Sequence, residues 1–230
     1  MRAGASNCIQ QGACCERRAL NIGGNMDIYD KMHGGDLYNP GDGDLMSIQM
    51  PCADICWEYN QLRPSDFEGQ QALLKRMLGD VGEGCYITPP FYANWGGKHL
   101  HLGDHVYSNF GLTIVDDTHI YVGDHTEFGP NVTIATAGHP ILPELRGSLA
   151  LQYNLPVHIG RNCWIGAGAV IMPGVTIGDD TVIGAGSVVT KDIPSGVVAV
   201  GNPCRVMREI GEHDREYYCR GRKMPEEWKG

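Results

Sequence analysis

From Ile159 to Val189 an aliphatic side chain returns every six residues: Ile159, Ile165, Ile171, Ile177, Ile183 and Val189, with Gly160, Gly166, Gly178 and Gly184 one place behind four of them. A period of six matches neither the 3.6-residue turn of an α-helix nor the alternation of an isolated strand, so the pattern predicts a repeat architecture. Small residues at Cys163, Ala169, Val175, Thr181 and Ser187 stand four places after each aliphatic, where a corner between two flat faces leaves little room. One turn of this kind cannot bury its own core. Stability must come from stacking one turn on the next.

The period continues upstream with interruptions. Val122, Phe128 and Ile134 keep it, and Leu102, Ile114 and Ile120 form an earlier set offset by two places. The larger break follows Ile134, since Ile159 lies twenty-five residues on, four repeats plus one. The segment between must leave the lattice and return in a shifted register. It carries Thr136-Ala137-Gly138-His139-Pro140, and an excursion from a rigid scaffold is a common place for chemistry.

Before the repeats the period changes. Phe67, Leu73, Leu74, Met77 and Leu78 recur at helical spacing after a Ser65-x-x-Glu68 capping pattern, with Gly79 as the stop, and Asp44 to Asn60 is helical in flavour with a kink or late start expected at Pro51. The expected organisation is an extension over 1–25 without order, a helical cap over 26–82, a repeat solenoid over 83–210 with a protruding loop at about 136–156, and a tail over 211–230.

Composition narrows the partners. With 42% apolar and 20% charged residues the chain reads as an ordinary soluble protein, and a net charge of −9 argues against nucleic acid or an anionic membrane surface. No apolar run approaches the roughly 18 residues of a membrane span, and the first 25 residues lack a secretory apolar stretch, so a cytoplasmic location is expected. Nine cysteines without C-x-x-C pairs read as reduced thiols.

Several ordered segments then converge: Pro89-Pro90-Phe91-Tyr92, Tyr107-Ser108-Asn109-Phe110, Thr113-Ile114-Val115-Asp116-Asp117, Pro130-Asn131-Val132-Thr133 and Gly138-His139-Pro140. They are followed by Asn162-Cys163-Trp164-Ile165-Gly166, Pro173-Gly174-Val175-Thr176-Ile177-Gly178, Val189-Thr190-Lys191-Asp192-Ile193-Pro194 and Gly201-Asn202-Pro203-Cys204-Arg205-Val206. Over about residues 32–212 the chain resembles the maltose/galactoside O-acetyltransferase family of hexapeptide-repeat acyltransferases. The resemblance implies a mainly β fold, a left-handed parallel β-helix with an N-terminal helical cap, assembled as a homotrimer with active sites between subunits. It further implies transfer of acetyl from acetyl-CoA, a co-substrate, to a hydroxyl of a sugar such as maltose, glucose or a galactoside, with no metal required.

By that resemblance His139 is the general base, a role that suits an imidazole titrating near neutrality. Asn109, Asp117, Asn94 and Tyr107 match acceptor-contacting positions. Backbone at Ala167 and Ala185 matches the pantetheine contacts, and Thr190, Lys191, Arg205 and Arg208 match the polar, cationic end that holds phosphates. Trp164 lines the same groove or a subunit interface. Two departures stand out: Gly111 follows the Asn-Phe pair where relatives carry asparagine, and the region Asn39-Pro40-Gly41-Asp42 shows no clear equivalent of the cap's acidic contact.

Other readings remain. Related hexapeptide enzymes act on oligosaccharides, antibiotics or serine. A γ-carbonic-anhydrase-like zinc enzyme would use His101, His119 and His125, which are spaced by multiples of six and would stack about 4.8 Å apart in an 18-residue coil. A scaffold that has lost activity is the third.

Overall fold

The computed structural model describes residues 27–228, so the extension expected over 1–25 lies outside the described residues. Short parallel strands stack into three flat faces joined at corners, a β-helix of about six turns and left-handed coil. Face I holds Asp80–Val81, Leu100–Leu102, Ile120–Val122, Val157–Ile159 and Thr176–Ile177. Face II holds Tyr86–Ile87, Tyr107–Ser108, Glu127–Phe128, Trp164–Ile165, Val182–Ile183 and Val197–Val200, and Arg205–Glu209 adds to it antiparallel. Face III holds Tyr92–Ala93, Thr113–Val115, Thr133–Ala135, Val170–Ile171 and Val188–Val189.

The six-residue aliphatics fill the interior. Ile165, Ile171, Ile177, Ile183 and Val189 are all buried in one continuous core with Leu100, Ile114, Ile120 and Ile134. The small residues sit where the pattern predicted: Cys163, Ala169, Val175, Thr181 and Ser187 are buried, and the Thr181 hydroxyl donates to the Pro194 carbonyl at 2.9 Å. A corner this tight requires left-handed backbone. The column between faces I and II runs through Gly84, His105, His125, Asn162, Asp180 and Gly196, all at positive φ, and uses residue types that tolerate it.

Register shows where the lattice varies. Val81 pairs with Leu102, Leu102 with Val122, Val122 with Ile159, Ile159 with Ile177, and Ile177 bridges Ile193. The coil therefore changes from 21 to 20, 37, 18 and 16 residues along the molecule. From face I to II the inner residues stay six apart, as in Leu102 and Ser108 or Ile159 and Ile165, and from II to III they do too, as in Ser108 and Ile114 or Ile165 and Ile171. All variation falls at the corner from III back to I. There the first coil carries three extra residues, the second two, the third a loop, and the fifth two fewer.

Helices precede the solenoid. α1 (Ile28–Gly34) begins at Asp27, whose carboxylate accepts from the Tyr29 N–H, and ends at Gly35 with φ 83°. α2 (Leu45–Gln61) continues through Pro51 without a break, so the late start is not seen. The carbonyl deprived of a partner is that of the exposed Ser47, which water reaches, so the proline is tolerated. Tyr59 of α2 donates to the Ile87 carbonyl, and Asn60 exchanges two hydrogen bonds with the Phe91 backbone at 2.7 and 2.8 Å, seating the helix on the first coil.

α3 (Phe67–Met77) corrects two expectations. Its N-cap is Asp66, accepting from Gly69 N–H at 2.9 Å, because Ser65 lies one residue too far back to reach the first turn. The helix also ends before Gly79, whose task is close approach: a Cβ there would come within 2.7 Å of the His101 ring and 2.8 Å of the Lys98 carbonyl. After the solenoid come α5 (Glu212–Glu216) and a small antiparallel pair, while α4 (Pro143–Gly147) belongs to the loop. None of the described helices is long and apolar enough to cross a membrane.

Candidate active site

The variable III/I corner gathers polar side chains. Asn94 and Trp95 occupy it in the first coil, Asp116 and Asp117 in the second, and the 136–156 loop leaves from it in the third. Asp117 is only 5% exposed and accepts from Asn94 Nδ2, from Trp95 Nε1 at 2.8 Å and from Gln152 Nε2 at 3.2 Å. Asp116, fully buried, accepts from the backbone N–H of Trp95 at 2.7 Å and of Gly97 at 3.0 Å. Burial pushes its carboxyl up to about 6, partly offset by those N–H donors.

The loop is built to hold one imidazole. Ala137–Gly138 pairs antiparallel with Tyr153–Asn154, and Gly138 leaves room for the Tyr153 ring, which a Cβ would meet at 2.7 Å. α4 fills the tip, where Arg146 donates to the Pro140 carbonyl at 2.9 Å. His139 is exposed, with Nδ1 3.1 Å from the Leu151 carbonyl. A carbonyl only accepts, so Nδ1 carries a proton, and in the neutral ring Nε2 is then the nitrogen with the lone pair. That tautomer is the one a base needs.

The helical segment reaches this corner. Tyr38 and Gln152 exchange backbone hydrogen bonds at 3.0 and 2.9 Å, and the Asn154 amide donates to the Met32 carbonyl at 2.9 Å and the Tyr38 hydroxyl at 2.8 Å. Sequence reasoning missed Tyr38, Trp95, Asp116, Gln152 and Asn154. Gln152 and Asn154 stood inside the polar loop stretch, but nothing in the chain marks which distant residue they meet.

The II/III corner is different in kind. Asn109 leads it, half-buried, its Oδ1 accepting from the Phe110 N–H at 2.8 Å. Ala167 and Ala185 follow on successive coils, both exposed, with Gly186 N–H donating to the Ala167 carbonyl at 2.8 Å. On the outside of face II one row runs Tyr86, Tyr107, Glu127, Trp164, Val182, Val198 and Arg208. Tyr107, Trp164 and Arg208 are thus aligned along the axis.

The structure unites Asn94 and Asp117 with the His139 loop, and Asn109 with the Ala167 and Ala185 edge. It separates those two groups onto different corners. Thr190 and Lys191 stand exposed where Val188–Val189 turns into the III/I corner, and Arg205 is exposed with Nη1 on the Cys204 carbonyl at 2.7 Å. Arg208 is already paired with Asp214 through two bonds of 2.6 and 2.7 Å, which hold the Asp214 carboxyl down at about 2.

The histidine stack expected of an 18-residue coil is not formed. This coil holds 20 residues, so His101 pairs with Tyr121, their rings 4.7 Å apart, while His119 reaches His101 sideways through an Nε2 to Nδ1 hydrogen bond of 2.8 Å. His125 stacks on His105 at another corner. Among the described residues no group of three or more His, Cys, Asp or Glu has a metal-holding arrangement.

Comparison with known proteins places these features in a family. The model for the bacterial transferase hexapeptide (six repeats) matches residues 156–191, and that for the maltose acetyltransferase hexapeptide capping motif matches 31–82. A galactoside O-acetyltransferase of Lactococcus lactis is 50% identical over 199 residues, covering 86% of this chain and 96% of that one. The Escherichia coli galactoside O-acetyltransferase is 44% identical over 200 residues, 87% of this chain and 98% of that one. A solved galactoside acetyltransferase in complex with coenzyme A superposes with a TM-score of 0.83 at 43% identity, covering 87% of this chain and all of that one.

Proposed function

Since the chain belongs to the galactoside and maltose O-acetyltransferase family of hexapeptide-repeat transferases, we propose that it transfers acetyl from acetyl-CoA to a hydroxyl of a sugar, with His139 as general base. The observation that carries the assignment of the base is the Nδ1 to Leu151 carbonyl contact, which leaves Nε2 to take the hydroxyl proton. As that proton moves, the sugar oxygen attacks the thioester carbonyl. A tetrahedral intermediate forms, the C–S bond breaks, and the imidazolium returns the proton to the departing thiolate. The acetyl passes directly to the sugar, and the products are the acetylated sugar and coenzyme A.

Two corners of one prism cannot close on each other, yet the acceptor residues and the edge carrying Ala167 and Ala185 lie on two of them. The site is completed when the III/I corner of one copy faces the II/III corner of the next, which three copies around an axis satisfy. Asp117 and Asn94, with Asn109 from the facing copy, then hold sugar hydroxyls. The pantetheine arm lies along Ala167 and Ala185 beside Trp164, while Tyr107, two rungs away on the same outer row, contacts the acceptor with Asn109. Thr190, Lys191, Arg205 and Arg208 receive the phosphates, Arg208 by exchanging Asp214 for a phosphate oxygen.

The test is a panel of glucosyl and galactosyl acceptors with acetyl-CoA, following free thiol, run beside His139→Ala. Turnover by the wild type and a loss of about 10²–10⁴-fold in the variant is expected. Equal rates would remove His139 from the mechanism. Sedimentation velocity should show a trimer, and a monomer would leave each site incomplete.

A further inference from the structure

A cluster of imidazoles outside the proposed chemistry lies directly behind the Asp116–Asp117 turn. His99 donates from Nδ1 to the Asp116 carbonyl at 2.6 Å, and its Nε2 lies 3.3 Å from the Tyr29 hydroxyl of α1, which can donate to it. Both contacts suit the neutral ring. His33, in the last turn of α1, meets the Thr118 hydroxyl through Nδ1 at 2.9 Å and packs against His99 and His119, each 4.8 Å between ring centres. His119 shares one proton with His101 across 2.8 Å, and His101 is held by the Asp80 carboxylate at 2.6 Å. Trp95, the Asp117 donor, lies 5.3 Å from the His99 ring.

The same helix reaches the His139 loop, because the Met32 carbonyl accepts from Asn154 and Tyr38 bridges Gln152. α1 has only seven residues and cannot hold itself folded, so its place is set by what it touches. We propose that His33 and His99, uncharged, are positioning residues: they pin α1 to the Asp116–Thr118 turn, and α1 in turn braces the loop that presents His139. The proposal rests on the reading of Asp117 and His139 given above.

Charge on the cluster would undo the brace. Two cationic rings in contact repel, and protonated His99 could no longer accept from Tyr29. Burial already holds His33 down at about 4 and His99 at about 3, and lowers His119, each helped by the neighbouring cationic forms and, for His33 and His99, by Lys98. The sign follows. With α1 open the rings titrate near 6.5, so between that value and about 4 the open state binds protons that the closed state does not, and acid favours opening. Asp116, raised by burial, opposes this by a single carboxyl, and Asp80 partly offsets the lowering at His119.

Hydrogen exchange of the α1 amides between pH 4.5 and 7, corrected for intrinsic rates, reads the opening directly. Wild type should open more as pH falls, by up to about a hundredfold per pH unit for two protons, and the double variant His33→Asn/His99→Asn should lose most of that slope. Asparagine keeps a donor near the Nδ1 position and cannot be protonated, so His99→Asn should retain neutral-pH activity where His99→Ala does not. Because acid also removes a general base, kcat reports His139 as well, and the brace is read in the acceptor KM, which should rise with the opening in wild type and stay level in the double variant. Opening that ignores pH, or a double variant with the full slope, overturns the proposal, as does an acceptor KM that stays constant while α1 opens. If no sugar is turned over at neutral pH but exchange behaves as described, the functional reading fails and the brace stands.

Discussion

The two corners that flank face III follow opposite rules. From II to III the inner residues never depart from six-residue spacing, and the corner stacks small residues around Ala167 and Ala185 on successive coils. From III to I every coil but the regular fourth changes length, and the added residues include Asn94, Asp117 and the His139 loop. One edge supplies an even rail suited to an extended, repetitive ligand arm. The other supplies individual polar groups. A lattice can accept extra chain wherever the strands on either side return in register, so long as the insertion stays on one corner and never divides a face.

Perturbing each edge should give different kinds of damage. The largest effect is expected from His139→Ala on the variable edge, about 10²–10⁴-fold in kcat with an unchanged thermal midpoint, since the ring is exposed and makes one side-chain contact. Next, one residue inserted after Gly168 on the even edge shifts the following strand by one and turns Ile171 outward. Soluble yield and denaturant midpoint should collapse. The same insertion after Ser148 should cost less than about 1 kcal/mol, because lengthening a loop adds little closure entropy. Equal losses at the two points would erase the distinction between the edges.

A smaller change is expected from Ile165→Ala in the lattice, about 2–5 kcal/mol by chemical denaturation with KM values intact, whereas Asp117→Asn should act mainly on the acceptor. Its new amide would face donors from Asn94, Trp95 and Gln152, so acceptor kcat/KM should fall by about 5- to 150-fold, for a mismatch of about 1–3 kcal/mol. The smallest effect is at Asp214→Asn, which releases Arg208: KM for acetyl-CoA should drop only slightly, because a solvent-screened ion pair holds the guanidinium weakly. A rise instead would mean that Asp214 orients Arg208 for its task.

Much of this is legible in the sequence. The aliphatic period locates the core from Ile159 to Val189, the two-place offset before Val122 marks the second coil's insertion, and the gap after Ile134 marks the loop. Gly138 and His139 could be singled out by the motif around them. What could not be read depends on contacts between remote segments: Tyr38 meeting Gln152, and Asn154 meeting Met32, are separated by more than a hundred residues, and no local pattern encodes that meeting. The histidine stack expected from the spacing fails for a related reason. His101 and His119 are 18 apart in a coil that holds 20, and only the pairing of Leu100 with Ile120 reveals the count.

One further consequence follows from Arg205–Glu209, which runs against the direction of the other strands of face II. A coil of parallel rungs could in principle be lengthened without limit, each new turn templating the next, and two such molecules could join end to end into a thread. A reversed rung offers the wrong template, so propagation stops there and the molecule has a defined length.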